Sequence, residues 1–377
     1  MLLFIPKEIH PGETRVSFVP QTVNRLVKMG LDVMIERDVG FGAGHRDSEY
    51  EKAGARVAAD RISALEQADI VVRVRKPPLE EARRMKNGCI HLSFLDAYRE
   101  TALVDAFAAG HVSAVSIDLI PRSLAAQGME ALSAQANLAG YVAVIMAAER
   151  LNKIFPMLIT PAGTIAPAWV FIIGAGVAGL QAIATAKRLG ARVWAYDTRP
   201  VVEPQVESLG AEFIDIDLGD TGEPADEPPK RLTSEQLEKQ RDALAGVCAR
   251  ADVVIVTAMV AGKNGPCVIT RDTIGQMRPG SVIIDLESER GGSVEGVELD
   301  KEVTIEGVRI VGLGNLPAKV SAHASQMYSA NVANFVQTFW NSEKKAVELD
   351  LDNEIIKSCL VTHGGAIVNE DVRQNRP

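Results

Sequence analysis

Residues 170–180 read Val-Phe-Ile-Ile-Gly-Ala-Gly-Val-Ala-Gly-Leu. An apolar run typical of a strand ends in the pattern Gly174-x-Gly176-x-x-Gly179, and a segment of helical period follows, Leu180–Leu189. In such a unit the first glycine permits a tight turn, the second lets a pyrophosphate approach the backbone, and the third lets helix and strand pack closely. The free N–H groups and the positive dipole end of the helix then face the phosphates. The stretch therefore predicts a dinucleotide site.

An acidic residue, Asp197, ends the next predicted strand, Val193–Tyr196. It lies roughly 20 residues beyond Gly179, a spacing at which a carboxylate accepts hydrogen bonds from the adenosine ribose hydroxyls. A glycine-rich turn in an ordinary α/β sheet would leave this acid unexplained. The negative charge would repel a 2′-phosphate, which favours NAD over NADP, although Arg199 weakens that preference. The candidate cofactor contacts of this region are Gly174, Gly176, Val177, Ala178, Gly179, Asp197, Thr198 and Arg199.

The composition is that of an acidic α/β protein. The 377 residues carry a formal net charge of −9, with 47% hydrophobic and only 5% aromatic residues. The negative charge argues against nucleic acid as a partner, and no polybasic segment suggests a lipid headgroup site. The cysteines are scattered without Cys-x-x-Cys pairs or nearby histidine pairs. This pattern predicts free thiols in a reducing compartment and no metal site.

The sequence offers no clear targeting or membrane segment. Its beginning, Met1-Leu-Leu-Phe-Ile-Pro-Lys7, is too short and too soon interrupted to act as a signal peptide. No apolar run approaches the ~20 residues that a spanning helix needs. We therefore expect a soluble chain without direct membrane insertion.

Strand-like and helix-like segments alternate along the chain, which predicts doubly wound parallel sheets. In the N-terminal part the predicted strands are Leu2–Ile5, Asp32–Ile35, Ile70–Val74, Ile90–Phe94 and Val112–Ile117. Around the glycine motif they are Trp169–Ile173, Val193–Tyr196, Phe213–Ile216, Val253–Thr257, Val282–Asp285 and Val308–Gly312. Apolar helices at 138–151 and 324–340 are interpreted as paired crossings between two domains.

The predicted fold class is α/β, with two Rossmann-like doubly wound parallel-sheet domains separated by a cleft. An N-terminal domain comprises residues 1–136 and 322–377, so that the C-terminal segment completes it. The NAD(H)-binding domain comprises residues 137–321. One segment, Asp217–Arg231, combines prolines, glycines and charges, and is interpreted as a mobile surface excursion or a tolerated loop insertion.

Motifs distributed along nearly the whole chain carry a family resemblance. They are Ile5-Pro-Lys-Glu8, Pro11-Gly-Glu-Thr-Arg-Val16, Pro121-Arg122, Asn137-Leu-Ala-Gly-Tyr141, Gly174–Gly190, Gln205–Phe213, Arg278–Leu286 and Val361–Val368. Together they resemble the NAD(H)-binding component, domain I, of proton-translocating nicotinamide nucleotide transhydrogenases. The alanine dehydrogenases are the nearest relatives of that family and share both domains. The motifs are specific to this pair of families.

Two positions separate the families by their chemistry. Alanine dehydrogenases carry a lysine and a histidine there, because oxidative deamination moves protons as well as a hydride. Arg75 stands at the lysine position, and arginine stays protonated at physiological pH. Ser93 stands at the histidine position, and a hydroxyl without an attached base is a poor general acid or base. A shift of alignment could restore His91 or Lys76, whereas hydride transfer between two nicotinamides needs neither.

The resemblance assigns the nicotinamide ribose and carboxamide to a loop at residues 122–133. Arg122, Gln127 and Ser133 match the family residues, whereas Glu130 replaces an aspartate and places its carboxylate one methylene further out. Reacting carbons must approach within ~3–3.5 Å, so this change bears on the transfer rate. The structural alternative is a surface ion pair between Arg122 and Glu130.

Further cofactor positions rest on the resemblance and on sheet geometry. Thr257-Ala258-Met259 follows a predicted strand at the carboxyl edge of the second sheet, where such folds place ligands, or else it serves loop packing. Leu313-Gly-Asn315-Leu-Pro317 replaces a family motif, and its backbone could border the ribose. Arg15, a substrate contact in the dehydrogenases, is interpreted as structural or as a pyrophosphate neighbour. A tyrosine in the family's mobile loop has no counterpart within Asp217–Arg231.

The resemblance implies a soluble NAD(H)-binding subunit that docks on NADP(H)-binding and membrane-spanning subunits and exchanges hydride with NADP(H) on the partner component. It also implies a cytoplasmic homodimer, peripheral to the inner membrane, in a proton-translocating complex. Two other functions stay open: an alanine or related amino-acid dehydrogenase, and a non-catalytic NAD-sensing protein. Glu130 and the missing loop tyrosine favour the last of these.

Overall fold

The computed structural model describes residues 1–219, 232–257 and 267–376. The chain divides into two compact units, the first comprising Met1–Gln135 and Ala318–Pro377 and the second Ala136–Pro317. The domain boundaries predicted from the sequence, and the cleft between the domains, stay predictions. Residues 220–231 of the predicted excursion, together with Ala258 and Met259, lie outside the described residues.

The first unit opens with strands and helices in alternation. Its strands are β1 (Leu2–Ile5), β2 (Asp32–Ile35), β3 (Arg56–Val57), β4 (Ile70–Arg75), β5 (Ile90–Phe94) and β6 (Ser113–Ser116). Its helices are α1 (Pro20–Lys28), α2 (Asp47–Lys52), α3 (Arg61–Gln67), α4 (Leu79–Ala82) and α5 (Thr101–Ala109). Helix α6 (Ala131–Arg150) follows.

The second unit contains a short hairpin and the second sheet. Its strands are β7 (Leu158–Thr160), β8 (Gly163–Ile165), β9 (Trp169–Ile173), β10 (Arg192–Tyr196), β11 (Glu212–Phe213), β12 (Val253–Val256), β13 (Val282–Asp285), β14 (Glu302–Ile305) and β15 (Val308–Val311). Its helices are α7 (Val177–Arg188), α8 (Glu203–Ser208), α9 (Ser234–Cys248) and α10 (Arg271–Gln276).

The C-terminal segment returns to the first unit. Its helices are α11 (Ser321–Thr338), α12 (Glu354–Cys359) and α13 (Glu370–Gln374). Its strands are β16 (Trp340–Asn341), β17 (Ala346–Val347), β18 (Leu360–His363) and β19 (Ala366–Ile367).

The sheet of the first unit has the strand order β3-β2-β1-β4-β5-β6-β18-β19. The first six strands are parallel, whereas β18 runs antiparallel to β6 and to β19. Both faces are covered: Leu3 and Ile5 pack into one apolar cluster and Phe4 into another. This two-sided burial explains why the strands are continuous apolar runs rather than alternating ones.

The sheet of the second unit has the order β11-β10-β9-β12-β13-β15-β14, parallel except for the last strand. Strand order reverses between β9 and β12, and doubly wound sheets bind ligands at the carboxyl ends of the strands at such a point. The six parallel strands of each sheet follow the order 3-2-1-4-5-6 of a Rossmann fold. The predicted fold class, two Rossmann-like doubly wound parallel sheets, is confirmed.

One expectation about apolar segments was wrong. Among the described residues, helix α6 is long and apolar enough, by length and composition, to cross a membrane. The sequence pattern predicted a helix from residue 138, but the helix begins at Ala131 and reaches 20 residues. Its apolar character comes from alanines interspersed with small polar residues, so no uninterrupted apolar run marks it. A core helix of a soluble protein passes the same test, so α6 alone is weak evidence for a membrane span.

Candidate nucleotide-binding site

The fingerprint turn, residues 174–179, connects β9 to α7 at the strand-order reversal. Gly174 has a positive φ of 98°, and its N–H donates to the carbonyl oxygen of Tyr196 at 2.7 Å. A Cβ on Gly179 would overlap the carbonyl oxygen of Gly174, so only glycine lets helix and strand approach this closely. Gly176 is exposed, and a Cβ there would meet no atom within 4 Å. Val177 and Ala178, both half-buried, form the first turn of the helix.

The carboxylate of Asp197 connects β10 to the fingerprint turn. Its Oδ2 accepts from the Ala175 N–H at 2.8 Å, and its Oδ1 accepts from the Arg199 N–H at 3.0 Å. The guanidinium of Arg199 also bridges both oxygens, with Nε 2.9 Å from Oδ1 and Nη2 3.1 Å from Oδ2. The acid therefore lies at the turn that the motif predicts, already paired with Arg199.

A pocket of about 230 Å³ opens beside Asp197. It is lined by apolar Phe213, Ile216 and Leu218 and by two further carboxylates, Asp215 and Asp217. Thr198 and Pro200 complete the wall next to Asp197. An apolar wall with a few placed polar groups is typical of a small-molecule pocket. The surplus of carboxylates disfavours a phosphate group at this position.

Thr257 ties the adjacent strand to the fingerprint turn. Its N–H donates to the carbonyl oxygen of Ile173 at 2.8 Å, and its hydroxyl donates to that of Gly174 at 2.9 Å. The structure thus brings Thr257 to the predicted turn, in a role that includes loop packing. Asn315 lies in a separate loop after β15, in the left-handed region with φ of 47°. The neighbouring Gly314 N–H donates to Asp300 Oδ1 at 3.1 Å.

Three of the four predicted nicotinamide-loop residues meet in the first unit. Glu130 Oε1 accepts from Arg122 Nε at 3.1 Å and also from the hydroxyl of Ser133. The side chain of Arg122 is 57% exposed and that of Glu130 only 16%. Gln127 is exposed and begins a 3₁₀ turn, Gln127–Met129. The arrangement is compatible with both interpretations, a ligand grip and a structural ion pair.

The loop is anchored to helix α11 by contacts that the sequence analysis missed. The carbonyl oxygen of Gly128 accepts from the side-chain amides of Asn331 at 3.0 Å and Asn334 at 2.9 Å. Ala126 and Met129 are buried beneath the loop. Two asparagines three residues apart share one helix face, which is the signal that could have suggested them. The anchor leaves Gln127 fixed in backbone position and open in side chain.

The dehydrogenase positions lie in the interior of the first unit. His91 and Ser93 on β5 are both fully buried, with His91 Nε2 3.0 Å from Ser93 Oγ. The imidazole of His91 also stacks on Phe107, with ring centroids 5.1 Å apart. Burial, followed by the charge of Arg73, lowers the pKa of His91 to about 3. His91 is a neutral core histidine at physiological pH.

The basic residues near these positions are paired with carboxylates. Lys76 Nζ lies 2.5 Å from Glu100 Oε1, and Arg75 Nε lies 3.2 Å from Glu13 Oε2. Arg15, only 4% exposed, contacts both oxygens of Glu13 and donates to Gln135 Oε1 at 2.8 Å. Burial would raise the pKa of Glu13, but hydrogen bonds and charge from Arg15, with that of Arg75, lower it to about 2. The interpretation of Arg15 as structural agrees with these contacts.

A buried charge cluster at β4 gave no signal in the sequence. Arg73 is fully buried and pairs with Glu81, while its Nη2 lies 3.8 Å from Glu8 Oε2. The other carboxylate oxygen of Glu8 accepts from the Val74 N–H at 2.5 Å. Burial raises the pKa of Glu8 to about 7 even though Arg73 and this hydrogen bond lower it. Desolvation therefore outweighs the neighbouring cation.

Comparison with known proteins covers nearly the whole chain. The family description Alanine dehydrogenase/PNT, N-terminal domain, matches residues 4–139, and the corresponding C-terminal domain matches residues 143–370. The chain is 41% identical to the first portion of the NAD(P) transhydrogenase subunit alpha of Rhodospirillum rubrum, a separate chain, over 98% of each. An alanine dehydrogenase of Halomonas elongata is 28% identical, over 99% of this chain and 96% of that protein.

A solved structure agrees with these sequence relationships. The crystal structure of a transhydrogenase from Sinorhizobium meliloti superimposes with a TM-score of 0.85 at 38% identity, covering 98% of this chain and 100% of that one. Both halves of the chain, with the glycine motif and Asp197 in the second unit, therefore place it in one family. This protein belongs to the alanine dehydrogenase/PNT family.

Proposed function

We propose that this chain is the NAD(H)-binding alpha subunit of a proton-translocating nicotinamide nucleotide transhydrogenase. It transfers hydride between NAD(H), bound here, and NADP(H) on a partner component. One observation carries the proposal: the dinucleotide motif is intact, while His91 at the dehydrogenase position is a buried neutral core residue. The 41% identity to an alpha subunit over 98% of both chains supports the same choice.

The second unit is proposed to bind the adenosine and diphosphate half of NAD(H). The exposed start of α7, at Gly176, Val177 and Ala178, offers free N–H groups and a positive dipole end to the diphosphate. Asp197 is proposed to accept the ribose hydroxyls, with Thr198 and the pocket of about 230 Å³ beside them. Because Asp215 and Asp217 line that pocket too, NAD(H) is favoured over NADP(H).

The first unit is proposed to hold the nicotinamide end through Arg122, Gln127, Glu130 and Ser133. Gln127 has the exposed amide suited to a carboxamide, on a loop that Asn331 and Asn334 anchor. Bound NAD(H) supplies the hydride, and these side chains only bind and orient the ring. Thr257, Ala258 and Asn315 are proposed as further contacts to the cofactor.

No residue in the proposed mechanism has to shuttle a proton. Arg75 stays charged, Ser93 bonds to a neutral imidazole, and Arg15 is neutralised by Glu13. A small amino-acid substrate would need a free cation for its carboxylate and a base for its amine. Hydride exchange between two nicotinamides needs neither, which favours transhydrogenation over amino-acid oxidation.

The partners follow from the subunit to which this chain is similar. An alpha subunit implies further subunits, and we propose an NADP(H)-binding component and a membrane-spanning component that translocates protons. The chain itself is proposed to be cytoplasmic and peripheral to the inner membrane. A homodimer is proposed as well, supported by the hairpin β7–β8, where Leu158, Ile159 and Ile165 are 45%, 75% and 49% exposed.

A non-catalytic NAD-sensing protein is a second candidate. Glu130 stands where the family has aspartate, and the structure engages it with Arg122 and Ser133 rather than leaving it for a ligand. A sensor would bind NADH and transfer no hydride. Hydride transfer from an NADPH-loaded partner component to an NAD analogue on this chain separates the two functions.

The purified chain, titrated with NADH and then supplied with NAD and a panel of amino acids, tests the proposal against a dehydrogenase. We expect saturable NADH binding and no NADH production with any amino acid. NADH formed in proportion to an added amino acid would contradict the transhydrogenase assignment. Absence of NADH binding would contradict both functions.

A further inference from the structure

The carboxylate of Asp197 has no acceptor position left for a ligand. Backbone N–H groups of Ala175 and Arg199 each occupy one oxygen, at 2.8 Å and 3.0 Å. The Arg199 guanidinium adds Nε to Oδ1 at 2.9 Å and Nη2 to Oδ2 at 3.1 Å. Each oxygen thus receives two donors, which fills the roughly four lone-pair positions of a carboxylate.

The two kinds of donor differ in how easily they can leave. The Ala175 N–H belongs to the fingerprint turn between Gly174 and Gly176, and the Arg199 N–H is fixed by the chain direction after β10. The guanidinium sits at the end of a flexible side chain and can rotate away. The pair is also largely shielded, with the side chains of Asp197 and Arg199 only 7% and 12% exposed.

We propose that Arg199 is a specificity-determining residue of the nucleotide site. Its guanidinium occupies the one position on each oxygen that a ribose hydroxyl would use, and it must leave Asp197 when the nucleotide binds. The inference rests on the proposed function, in which Asp197 receives the adenosine ribose. Arg199 is thus an intramolecular competitor of the two ribose hydroxyls.

The same residue has the opposite effect on a 2′-phosphate. Without Arg199, a phosphate at this position would face Asp197, Asp215 and Asp217 with less compensating charge. Removing the guanidinium should therefore tighten binding of a free ribose and weaken binding of a 2′-phosphorylated one. Lysine keeps the charge but lacks the planar fork that bridges two oxygens, so it separates charge from occupancy.

Competition against NADH fluorescence by the full-length chain tests the inference with adenosine, 2′,3′-dideoxyadenosine and adenosine 2′-monophosphate. Displacing a pair of this kind costs about a factor of five in affinity, so Arg199→Ala should bind adenosine ~fivefold more tightly. Its affinity for dideoxyadenosine should not change, and its affinity for the 2′-monophosphate should fall. Arg199→Lys should gain part of the adenosine affinity and keep the affinity for the 2′-monophosphate.

Two controls make the result specific. Arg188→Ala removes an equal charge from an exposed position at the end of α7, and should bind all three ligands as the unchanged chain does. Asp197→Asn should lose adenosine affinity, which tests the ribose role independently. An adenosine gain absent from Arg199→Ala, or shared with dideoxyadenosine, would overturn the role of Arg199 alone. Unchanged adenosine affinity in Asp197→Asn would overturn the ribose site and with it this part of the proposed function.

Discussion

The imidazole of His91 lies 3.0 Å from the hydroxyl of Ser93, and both side chains are fully buried on the same strand. The histidine nearest the dehydrogenase position therefore has its Nε2 bonded to the serine that replaces the catalytic histidine. With its pKa lowered to about 3 by burial and by Arg73, His91 cannot exchange a proton near neutral pH. The relationship accounts for the loss of amino-acid chemistry from a shared fold.

We predict that His91→Gln changes hydride transfer by no more than about twofold, because the group does not titrate in the working range. Transfer rates measured from pH 5 to 9 should give profiles of the same shape for both proteins. Ser93→Ala is the matched variant and should behave alike. A loss of ~100-fold or more, or a limb near pH 6.5 that disappears in His91→Gln, would show that His91 acts in catalysis.

Gln127→Ala should slow hydride transfer much more than it weakens NADH binding. Its amide is exposed on an anchored loop, so we expect it to orient the ring rather than supply most of the affinity. Misplacement of a reacting ring near 1 Å can cost about 100-fold in rate. Single-turnover rates and NADH dissociation constants would be measured together.

Ser123→Ala, an exposed position on the same loop, is the control for Gln127 and should match the unchanged chain in both quantities. Equal losses of rate and affinity in Gln127→Ala would show that Gln127 only anchors the cofactor.

Thr257→Val should destabilise the fingerprint turn, because the carbonyl oxygen of Gly174 loses the hydroxyl that donates to it at 2.9 Å. The expected decrease in the free energy of unfolding is about 1 kcal/mol, with weaker NADH binding. Urea unfolding and NADH titration measure the two effects. Thr257→Ser retains the hydroxyl and should recover both; a serine variant as weak as the valine one would assign the effect to packing of the methyl group.

Glu8 should make stability fall as pH rises. Its pKa is about 7 in the folded chain and 4.5 as an ordinary glutamate, so between these values the folded state binds more protons than the unfolded state. The carboxyl is neutral and tolerated below pH 4.5, and it is ionised and buried above pH 7. A shift of this size corresponds to up to about 3 kcal/mol.

Glu8→Gln should therefore gain stability relative to the unchanged chain between pH 5 and 8, as measured by urea unfolding. His91 acts in the opposite direction over pH 3 to 6.5, but it is common to both proteins and cancels in the comparison. Glu80→Gln, exposed on α4, is the control and should show no such gain. A difference between the two proteins that stays constant with pH would mean that Arg73 keeps Glu8 ionised throughout.

Local patterns predicted most of the fold. The bounds of β1, β2, β5, β9 and β13 follow from apolar runs whose two faces are both buried. The fingerprint turn was predictable because Gly174 and Gly179 answer to steric demands within a few residues of chain. Short edge strands and the hairpin β7–β8 were missed, since their exposed residues carry no periodic signal.

Long-range contacts could not be predicted in the same way. A strand was expected over Phe213–Ile216, but β11 ends at Phe213, and the segment predicted as strand-rich near the C-terminus contains helix α12. The pairing of Arg73 with Glu8 and Glu81, and of Gly128 with Asn331 and Asn334, joins residues brought together only by tertiary packing. Arg199 could be noticed as a charge, but its occupancy of both oxygens of Asp197 needed coordinates.

The most direct test loads the chain with an NAD analogue and mixes it with an NADPH-loaded NADP(H)-binding transhydrogenase component. Absorbance of the reduced analogue reports hydride transfer. We predict rapid transfer that requires both proteins and is unaffected by added amino acids. Tight NADH binding without any transfer would contradict the account and identify a sensor, and reduction of the analogue by an amino acid without the partner would identify a dehydrogenase.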